Sequence, residues 1–491
     1  MVTKKDDSKL NLKNWSYLWL IIGFIFLIFS NGIWKIIPIA TWLAPVFLLR
    51  FLRIQNKLKV FLLFIPVYSV AWIIMVYDLY SKMPAWVSVV SGLVYGVVFS
   101  IPFLADRFLT LKIKGFLGTL IFPSAVVIIE FILSAPPANS WFSLAYTQYG
   151  NLPLVQLVSI TGIWGISFLI AWFASIVNWA WEQKFELQKI KKGVSIYFGI
   201  FIFILLFGGA YITFLPVNSD TVRVAAITRS FDIDIEAKSC KGEVPCIQEL
   251  FNRSLDEFLE NSKKAVNFDA EIIVWQENGL AVYENDEAAF IEQGREFAMQ
   301  EKVYLLMGMY MLSEDRSANE NKAVLITPSG QVSEYLKNYV MPGDNHIVGD
   351  RKILIQDSDY GKLGTIICQD THVIPFVRQA GKANVDIMLI PNHNYESVTP
   401  YIQRMPIFKA IENGFSMVRA DYHGLSNAVD YHGNVLAELN DFTTEETIMI
   451  ADIPTKGIKT IYSQIGDFFA WFCVLGFLIM IWLSFSKFKK K

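Results

Sequence analysis

Three residue types that can act together recur in one kind of setting in this chain. Glu277 follows the apolar run Ile272-Ile273-Val274-Trp275, Lys337 follows Tyr335-Leu336, and Cys368 ends the run Leu363-Gly364-Thr365-Ile366-Ile367. A thiol is a weak nucleophile until it becomes a thiolate. Glu277 could take the proton of Cys368 and later return it to a leaving group or accept one from an incoming amine. Lys337 could hold the charge on a tetrahedral intermediate as an oxyanion donor. A lone cysteine at a strand end is more often packing than nucleophile, so the chemistry rests on the three residues together. They lie far apart in sequence, and only a fold that brings three strand ends to one edge would unite them.

The rest of the chain sets where that chemistry happens. Its 491 residues are 53% hydrophobic, with a formal net charge of −2 and a mean hydropathy of +0.38. Such apolarity over this length indicates membrane segments, and near-zero charge argues against nucleic acid as a partner. A spanning helix needs roughly 20 mostly apolar residues. Seven candidates precede residue 216, at about 15–30, 33–52, 58–77, 84–105, 116–134, 160–181 and 194–215, and an eighth runs from about 466 to 485. With the N-terminus in the cytoplasm, every inside segment carries three or four Lys or Arg, such as Arg107, Lys112 and Lys114 or the tail Lys487, Lys489, Lys490 and Lys491, whereas the short outside loops hold only Lys35 and Lys82. That bias fits the positive-inside rule. It predicts cytoplasmic N- and C-termini and an outer-face location for 216–465. Lysines precede the first apolar stretch without a small-residue cleavage site, so that helix is expected to stay as an anchor.

Residues 216–465 alternate strand and helix signals. Strands are predicted at Val222–Ile227, Glu271–Trp275, Tyr304–Met309, Gly364–Cys368, Ile387–Ile390 and Ser416–Ala420. Helices are predicted at Ile247–Asn267, Asp286–Lys302, Val373–Ala383 and Tyr401–Asn413. Hairpins turn at Pro328-Ser329-Gly330 and Tyr431-His432-Gly433-Asn434. The expected architecture is a polytopic α-helical membrane domain (1–215), an extracytoplasmic α/β domain of α-β-β-α sandwich type (216–465), and a C-terminal transmembrane helix with a basic cytoplasmic tail (466–491).

The order and context of Glu277, Lys337 and Cys368 resemble the nitrilase, or carbon–nitrogen hydrolase, superfamily. So do Phe408-Lys409-Ala410-Ile411-Glu412-Asn413-Gly414, Val418-Arg419-Ala420, Gly424-Leu425-Ser426 and Gly433-Asn434-Val435-Leu436. Such a domain between seven helices and one final helix resembles the apolipoprotein N-acyltransferase family. Tyr146-Thr147-Gln148-Tyr149-Gly150, Pro153-Leu154-Val155-Gln156 and Gly162-Ile163-Trp164-Gly165-Ile166-Ser167-Phe168-Leu169 resemble that family's loop and sixth helix. The resemblance implies a Glu277–Lys337–Cys368 triad and a ping-pong transfer in a bacterial cytoplasmic membrane. A phospholipid donates an acyl chain to Cys368, and the N-terminal amine of a diacylglyceryl-modified cysteine on an apolipoprotein accepts it. No cofactor is expected.

Departures from the family pattern concern the acceptor more than the thioester. Met341-Pro342-Gly343-Asp344 stands for Pro-x-Gly-Glu, one residue shorter and with Asp for Glu. Gln369 and Asp370 follow the cysteine, where an aromatic and Glu are usual, and Asn392-His393-Asn394-Tyr395-Glu396 replaces an Asn-Asp-Ala-Trp-Phe-like stretch. Asp344 and Asp370 are candidates for orienting the triad, or solvated loop acids. Cys240 and Cys246 bracket a short polar loop and form either a disulfide, if the domain is extracytoplasmic, or two free thiols. Cys473 reads as helix packing. Glu130, an acid near the outer end of a predicted span, is either functional, paired with a neighbouring helix, or at the membrane interface. Trp141, Phe142 and Tyr146 could contact acyl chains. His372 and His393 do not form a metal pattern with acids or thiols at ligand spacing, so no metal is predicted. Two rival readings are a membrane-tethered amidase that uses water as second nucleophile and a non-enzymatic scaffold or transporter. The intact triad argues against the latter.

Overall fold

The computed structural model describes residues 15–30, 35–55, 60–81, 83–136, 139–217, 220–313, 318–340 and 345–486. Packing divides the chain into two units, Met1–Phe214 with Ile465–Lys491, and Leu215–Gln464.

The first unit is helical. Its main helices are α1 (Ser16–Ile28), α2 (Pro38–Ile54), α3 (Phe61–Val76), α4 (Ala85–Leu109), α5 (Ile121–Leu133), α6 (Ile163–Glu182) and α7 (Leu187–Phe214), joined by a final helix, Phe468–Ser486. A helix lies in each of the eight apolar stretches. Among the described residues, five helical segments are long and apolar enough to cross a membrane: Ala85–Leu109, Phe116–Leu133, Ile163–Glu182, Leu187–Phe214 and Phe468–Ser486. With 13, 17 and 16 residues, α1, α2 and α3 fall short of that length. Several boundaries differ from the hydropathy reading, two of them for a visible local reason. Gly162, at φ +65°, ends the short turn Val158–Thr161, so α6 starts only at Ile163. In turn, α7 begins upstream of residue 194 and carries Lys189, Lys191 and Lys192 on the helix itself.

Several charged and amide groups inside this unit are paired, as a low-dielectric interior favours. Arg53 of α2 forks onto Asp106 of α4 at 2.9 and 2.7 Å and reaches Glu182 of α6 at 3.1 Å. Asn178 of α6 donates to the Val46 carbonyl at 2.9 Å. Glu130 near the end of α5 accepts from Ser143 Oγ at 2.8 Å, Ser167 Oγ at 2.7 Å and the Leu144 N–H at 2.9 Å. The acid thus ties α5 to α6 and to the buried segment after it, which is the pairing alternative. Trp141, Phe142 and Tyr146 are all buried; Phe142 packs 4.5 Å from the Tyr95 ring and 5.2 Å from Trp72. Cys473 is buried in the final helix.

The second unit holds two sheets. Its strands are β1 (Thr221–Ile227), β2 (Ile272–Trp275), β3 (Leu280–Tyr283), β4 (Tyr304–Leu312), β5 (Glu320–Ile326), β6 (Val332–Leu336), β7 (Leu354–Ser358), β8 (Gly361–Thr365), β9 (Ile387–His393), β10 (Ser416–Tyr422), β11 (Leu425–Val429), β12 (Val435–Asn440) and β13 (Ile448–Pro454). One sheet has the order β13-β1-β2-β4-β5-β6, with β3 added to β4; the other has the order β12-β11-β10-β9-β8-β7. The pairs β1–β2, β2–β4, β3–β4, β8–β9 and β9–β10 are parallel, and the other pairs are antiparallel. Parallel strands buried on both faces read as continuous apolar runs, which is why Ile272–Trp275 is fully buried.

The sheets face each other through β1, β2, β9 and β10. Helices Val244–Asn267 and Glu287–Glu301 cover the first sheet, while Ile374–Ala383 and Tyr401–Asn413 cover the second, giving the four-layer α-β-β-α sandwich. Leu250, Phe251, Leu255 and Phe258 form the buried stripe of the first helix. Phe258 stacks on Trp275 at 4.8 Å, and Trp275 donates to Ser262 Oγ at 2.9 Å. This packing fixes the strand that leads to Glu277.

Candidate active site

Each of the three chemically capable residues lies just past a strand end. Glu277 comes two residues after β2, Lys337 directly after β6, and Cys368 three residues after β8. Gly308 of β4 makes the first placement possible. A Cβ there would meet the Gln276 carbonyl at 1.8 Å and the Glu277 Cα at 3.2 Å, so only glycine lets the chain cross this closely. Lys337 is pinned by its own N–H, which donates to the Asn321 carbonyl at 2.9 Å.

Cys368 corrects the sequence reading. The strand stops at Thr365, and Cys368 opens the 3-10 turn Cys368–His372. It sits at φ +43°, in the left-handed region that non-glycine residues occupy only when surroundings impose it. The surroundings here include Asp370, fully buried. Its carboxylate accepts from the Ile367 N–H at 3.1 Å, the Tyr339 N–H at 2.7 Å and Tyr335 Oη at 2.5 Å. One side chain therefore ties the turn bearing Cys368 to the segment bearing Lys337. Burial pushes Asp370 up to about 6 even against these donors. Asp344 lies outside the described residues.

Glu277, Lys337 and Cys368 line one pocket, with Arg229, Tyr310 and His393 among its walls. Lys337 Nζ donates to Glu277 Oε1 at 2.7 Å, and Asn321 Nδ2 donates to the same oxygen at 2.8 Å. Cys368 Sγ lies 3.7 Å from the His393 carbonyl oxygen. Burial alone would raise Glu277, but the adjacent Lys337 ammonium and the Asn321 amide hold it below the usual carboxylate range. Burial opposes the charge on Lys337, and the Glu277 carboxylate more than restores it, so its pKa is raised. Burial and the Glu277 charge together push the Cys368 thiol up, against the pull of Lys337. The resting set is carboxylate, ammonium and neutral thiol: an anion and a cation placed around a protonated thiol. Such a set suits proton transfer during attack, with the cation beside the developing oxyanion.

Asn321, Tyr335 and Asp421 were not singled out by sequence. The available signal was a polar residue inside a buried strand, in Glu320-Asn321-Lys322-Ala323-Val324 and in Val418-Arg419-Ala420-Asp421. His372 is buried, and desolvation with the nearby Arg419 and Lys409 charges depresses it to about 3. Cys240 and Cys246 are joined as a disulfide.

The sandwich and its strand-end pocket define a carbon–nitrogen hydrolase unit, and residues 246–462 match the family described as carbon-nitrogen hydrolase. Residues 23–176 match a second family, the apolipoprotein N-acyltransferase N-terminal domain. The chain is 25% identical to an apolipoprotein N-acyltransferase of Geobacter metallireducens, over 85% of this chain and 84% of that one. It is 26% identical to apolipoprotein N-acyltransferase 1 of Treponema denticola, over 72% and 74%. Among solved structures it is similar to an amidase from Nesterenkonia sp., at 18% identity and a TM-score of 0.39, covering 51% of this chain and 94% of that one. The chain belongs to the apolipoprotein N-acyltransferase family, a membrane-embedded branch of the nitrilase superfamily.

Proposed function

We propose that this protein moves an acyl chain from a phospholipid, through a Cys368 thioester, to the N-terminal amine of a diacylglyceryl-modified cysteine on apolipoproteins. The observation that carries the reading is the shared pocket of Glu277, Lys337 and Cys368, in a chain that matches the apolipoprotein N-acyltransferase N-terminal domain at 23–176 and carbon-nitrogen hydrolase at 246–462.

In the first half-reaction Glu277 takes the Cys368 proton as sulfur attacks the ester carbonyl. Lys337 stabilises the tetrahedral oxyanion. As the intermediate collapses, the C–O bond breaks and the proton passes from Glu277 to the departing lysophospholipid alkoxide. In the second, the acceptor amine attacks the thioester and gives a proton to Glu277, and that proton returns to sulfur as the C–S bond breaks. The enzyme ends as it began, as ping-pong nucleophilic catalysis requires.

The basic-residue bias supports a multi-pass arrangement with both termini in the cytoplasm and the catalytic unit on the outer face. A disulfide at Cys240–Cys246 fits that oxidising side. Both substrates carry acyl chains that can remain in lipid while their head groups reach the catalytic unit. Hydrolysis, with water as second nucleophile, is the less supported reading, because the match at 23–176 is to an acyltransferase domain. Product analysis tests the choice. With a diacylglyceryl lipopeptide present, the full chain should yield acylated peptide in step with lysophospholipid; free fatty acid without acylated peptide would favour hydrolysis.

A further inference from the structure

Asp421 lies on β10, outside the triad, and is fully buried. Its register neighbour on β9 is Asn392. Asn392 Nδ2 donates to Asp421 Oδ1 at 2.6 Å, and Asn394 Nδ2 donates to both carboxylate oxygens at 3.0 Å. These two asparagines flank His393, whose carbonyl oxygen is the acceptor facing Cys368 Sγ at 3.7 Å. The Asn394 N–H adds a main-chain tie to the Tyr422 carbonyl at 2.9 Å. The carboxylate is itself held, by Arg419 Nη2 at 3.3 Å, while Arg419 Nη1 is anchored on the Gln403 carbonyl at 2.8 Å.

The clamp falls in the stretch where this chain departs from the family pattern, Asn392-His393-Asn394. An apolar residue at 394 could not donate to Asp421. The departure thus brings a carboxylate and a second amide arm together on one side of the strand end, with His393 among the pocket walls.

We propose that Asp421 is a positioning residue: through Asn392 and Asn394 it fixes the His393 peptide against Cys368 and so sets where the sulfur stands relative to Glu277 and Lys337. This rests on the reading of Cys368 as nucleophile. A buried carboxylate shared by two amides holds its partners in one geometry, and misplacement of a reacting atom by about 1 Å can cost about 100-fold in rate. The charged and titratable groups that face Cys368 are Glu277, Lys337, His393, Arg419 and Asp421. Those that face Asp421 are Arg419 and Glu277. The Asp421 charge opposes thiolate formation at Cys368, and removing it therefore shifts thiol titration downward.

The test compares Asp421→Asn and Asn394→Ala in the full chain. Three quantities are read: single-turnover thioester formation from a labelled phospholipid, donor KM, and the pH midpoint of Cys368 alkylation by iodoacetamide. Asp421→Asn keeps the shape but must face at least one amide NH2 with its own. It is expected to slow thioester formation about 10–100-fold, with donor KM within about threefold, and to lower the alkylation midpoint. Asn394→Ala, which keeps the charge, is expected to slow the step several-fold with the midpoint in place. Wild-type rates in both variants, a loss expressed in KM, or a loss that tracks the unfolded fraction would each overturn the proposal. If Asp421→Asn does not fold, Asn394→Ala decides: a slow step at the wild-type melting temperature supports the clamp, and a wild-type rate removes it. If wild type itself forms no thioester, the acyl-transfer reading fails separately, and an alkylation midpoint unmoved by Asp421→Asn overturns the role of Asp421.

Discussion

Lys337 Nζ and Glu277 Oε1 stand 2.7 Å apart in a pocket that buries both side chains. The pair leaves the base ionised and the cation charged beside a neutral thiol. Under the proposed mechanism the two partners divide the labour and should fail differently. Glu277→Gln removes the proton acceptor and should reduce thioester formation by about 100- to 10,000-fold. Lys337→Met removes the oxyanion donor, with an expected loss of about 100- to 1,000-fold in kcat. It also strands the Glu277 carboxylate in a buried site, so its melting temperature should fall while that of Glu277→Gln falls less. Single-turnover kinetics with thermal melting of the full chain in detergent checks both.

The same pair makes a prediction about bare thiol reactivity. Burial and the Glu277 carboxylate raise the Cys368 thiol, so at pH 8 iodoacetamide should alkylate Cys368 more slowly than an exposed cysteine. Glu277→Gln removes the opposing charge, and the thiolate should then form at lower pH. Alkylation should speed up in the variant that has lost acyl transfer. Slower alkylation in Glu277→Gln would contradict the electrostatic account.

The strand end before Glu277 could be read from sequence because β2 is a parallel, continuous apolar run. The antiparallel edge strand before Lys337, with Ser333 and Glu334 in it, was legible only through the hairpin turn at Pro328-Ser329-Gly330. The local geometry of Cys368 could not be read. Ile366 and Ile367 extend the apolar pattern past Thr365, where strand pairing ends, and a positive φ leaves no mark in composition. The polar, alternating β7 and the distant β13, which pairs with β1 from the other end of the domain, also escaped, because edge strands are defined by partners rather than by their own pattern. Asp370 was a candidate from its place two residues after the cysteine, but its donors Tyr335 and Tyr339, like the Asn392 and Asn394 donors of Asp421, lie far from it in sequence and could not be read there.

Asp370 gives a stability test with a defined sign. Its folded pKa is about 6 against an ordinary 3.8, so the folded state binds its proton more tightly than the unfolded chain does. Its contribution is fully present below about pH 4, is lost as pH rises to about 6, and is flat above that. Asp370→Asn should flatten this part of the pH profile of melting. At neutral pH it should still cost about 1–3 kcal/mol, because a buried N–H from Ile367, Asn338 or Tyr339 loses its acceptor. Melting curves of the two proteins between pH 4 and 7 make the comparison.

Gly308 offers a steric test. Alanine there would place a methyl group against the Gln276 carbonyl and displace Glu277. Overpacking of this kind costs roughly 1–3 kcal/mol, and activity should fall further than stability does because the moved residue is the base. An active Gly308→Ala enzyme would show that the close crossing does not position Glu277.

The disulfide tests the side of the membrane. In intact cells, or in right-side-out spheroplasts, a membrane-impermeant maleimide should label Cys240 and Cys246 only after reduction. Labelling confined to inverted vesicles would place the catalytic unit in the cytoplasm and remove the proposed access to lipoproteins.

The central claim is an acyl thioester on Cys368, and the most direct measurement is to trap it. Full-length protein is incubated with a phospholipid labelled in its acyl chain, without acceptor, and digested for mapping. The account predicts a hydroxylamine-sensitive label on the peptide that contains Cys368, absent from Cys368→Ala and discharged when a diacylglyceryl lipopeptide is added. A correctly folded wild-type protein that carries no such label, while an active enzyme of the same family is labelled in parallel, would contradict it.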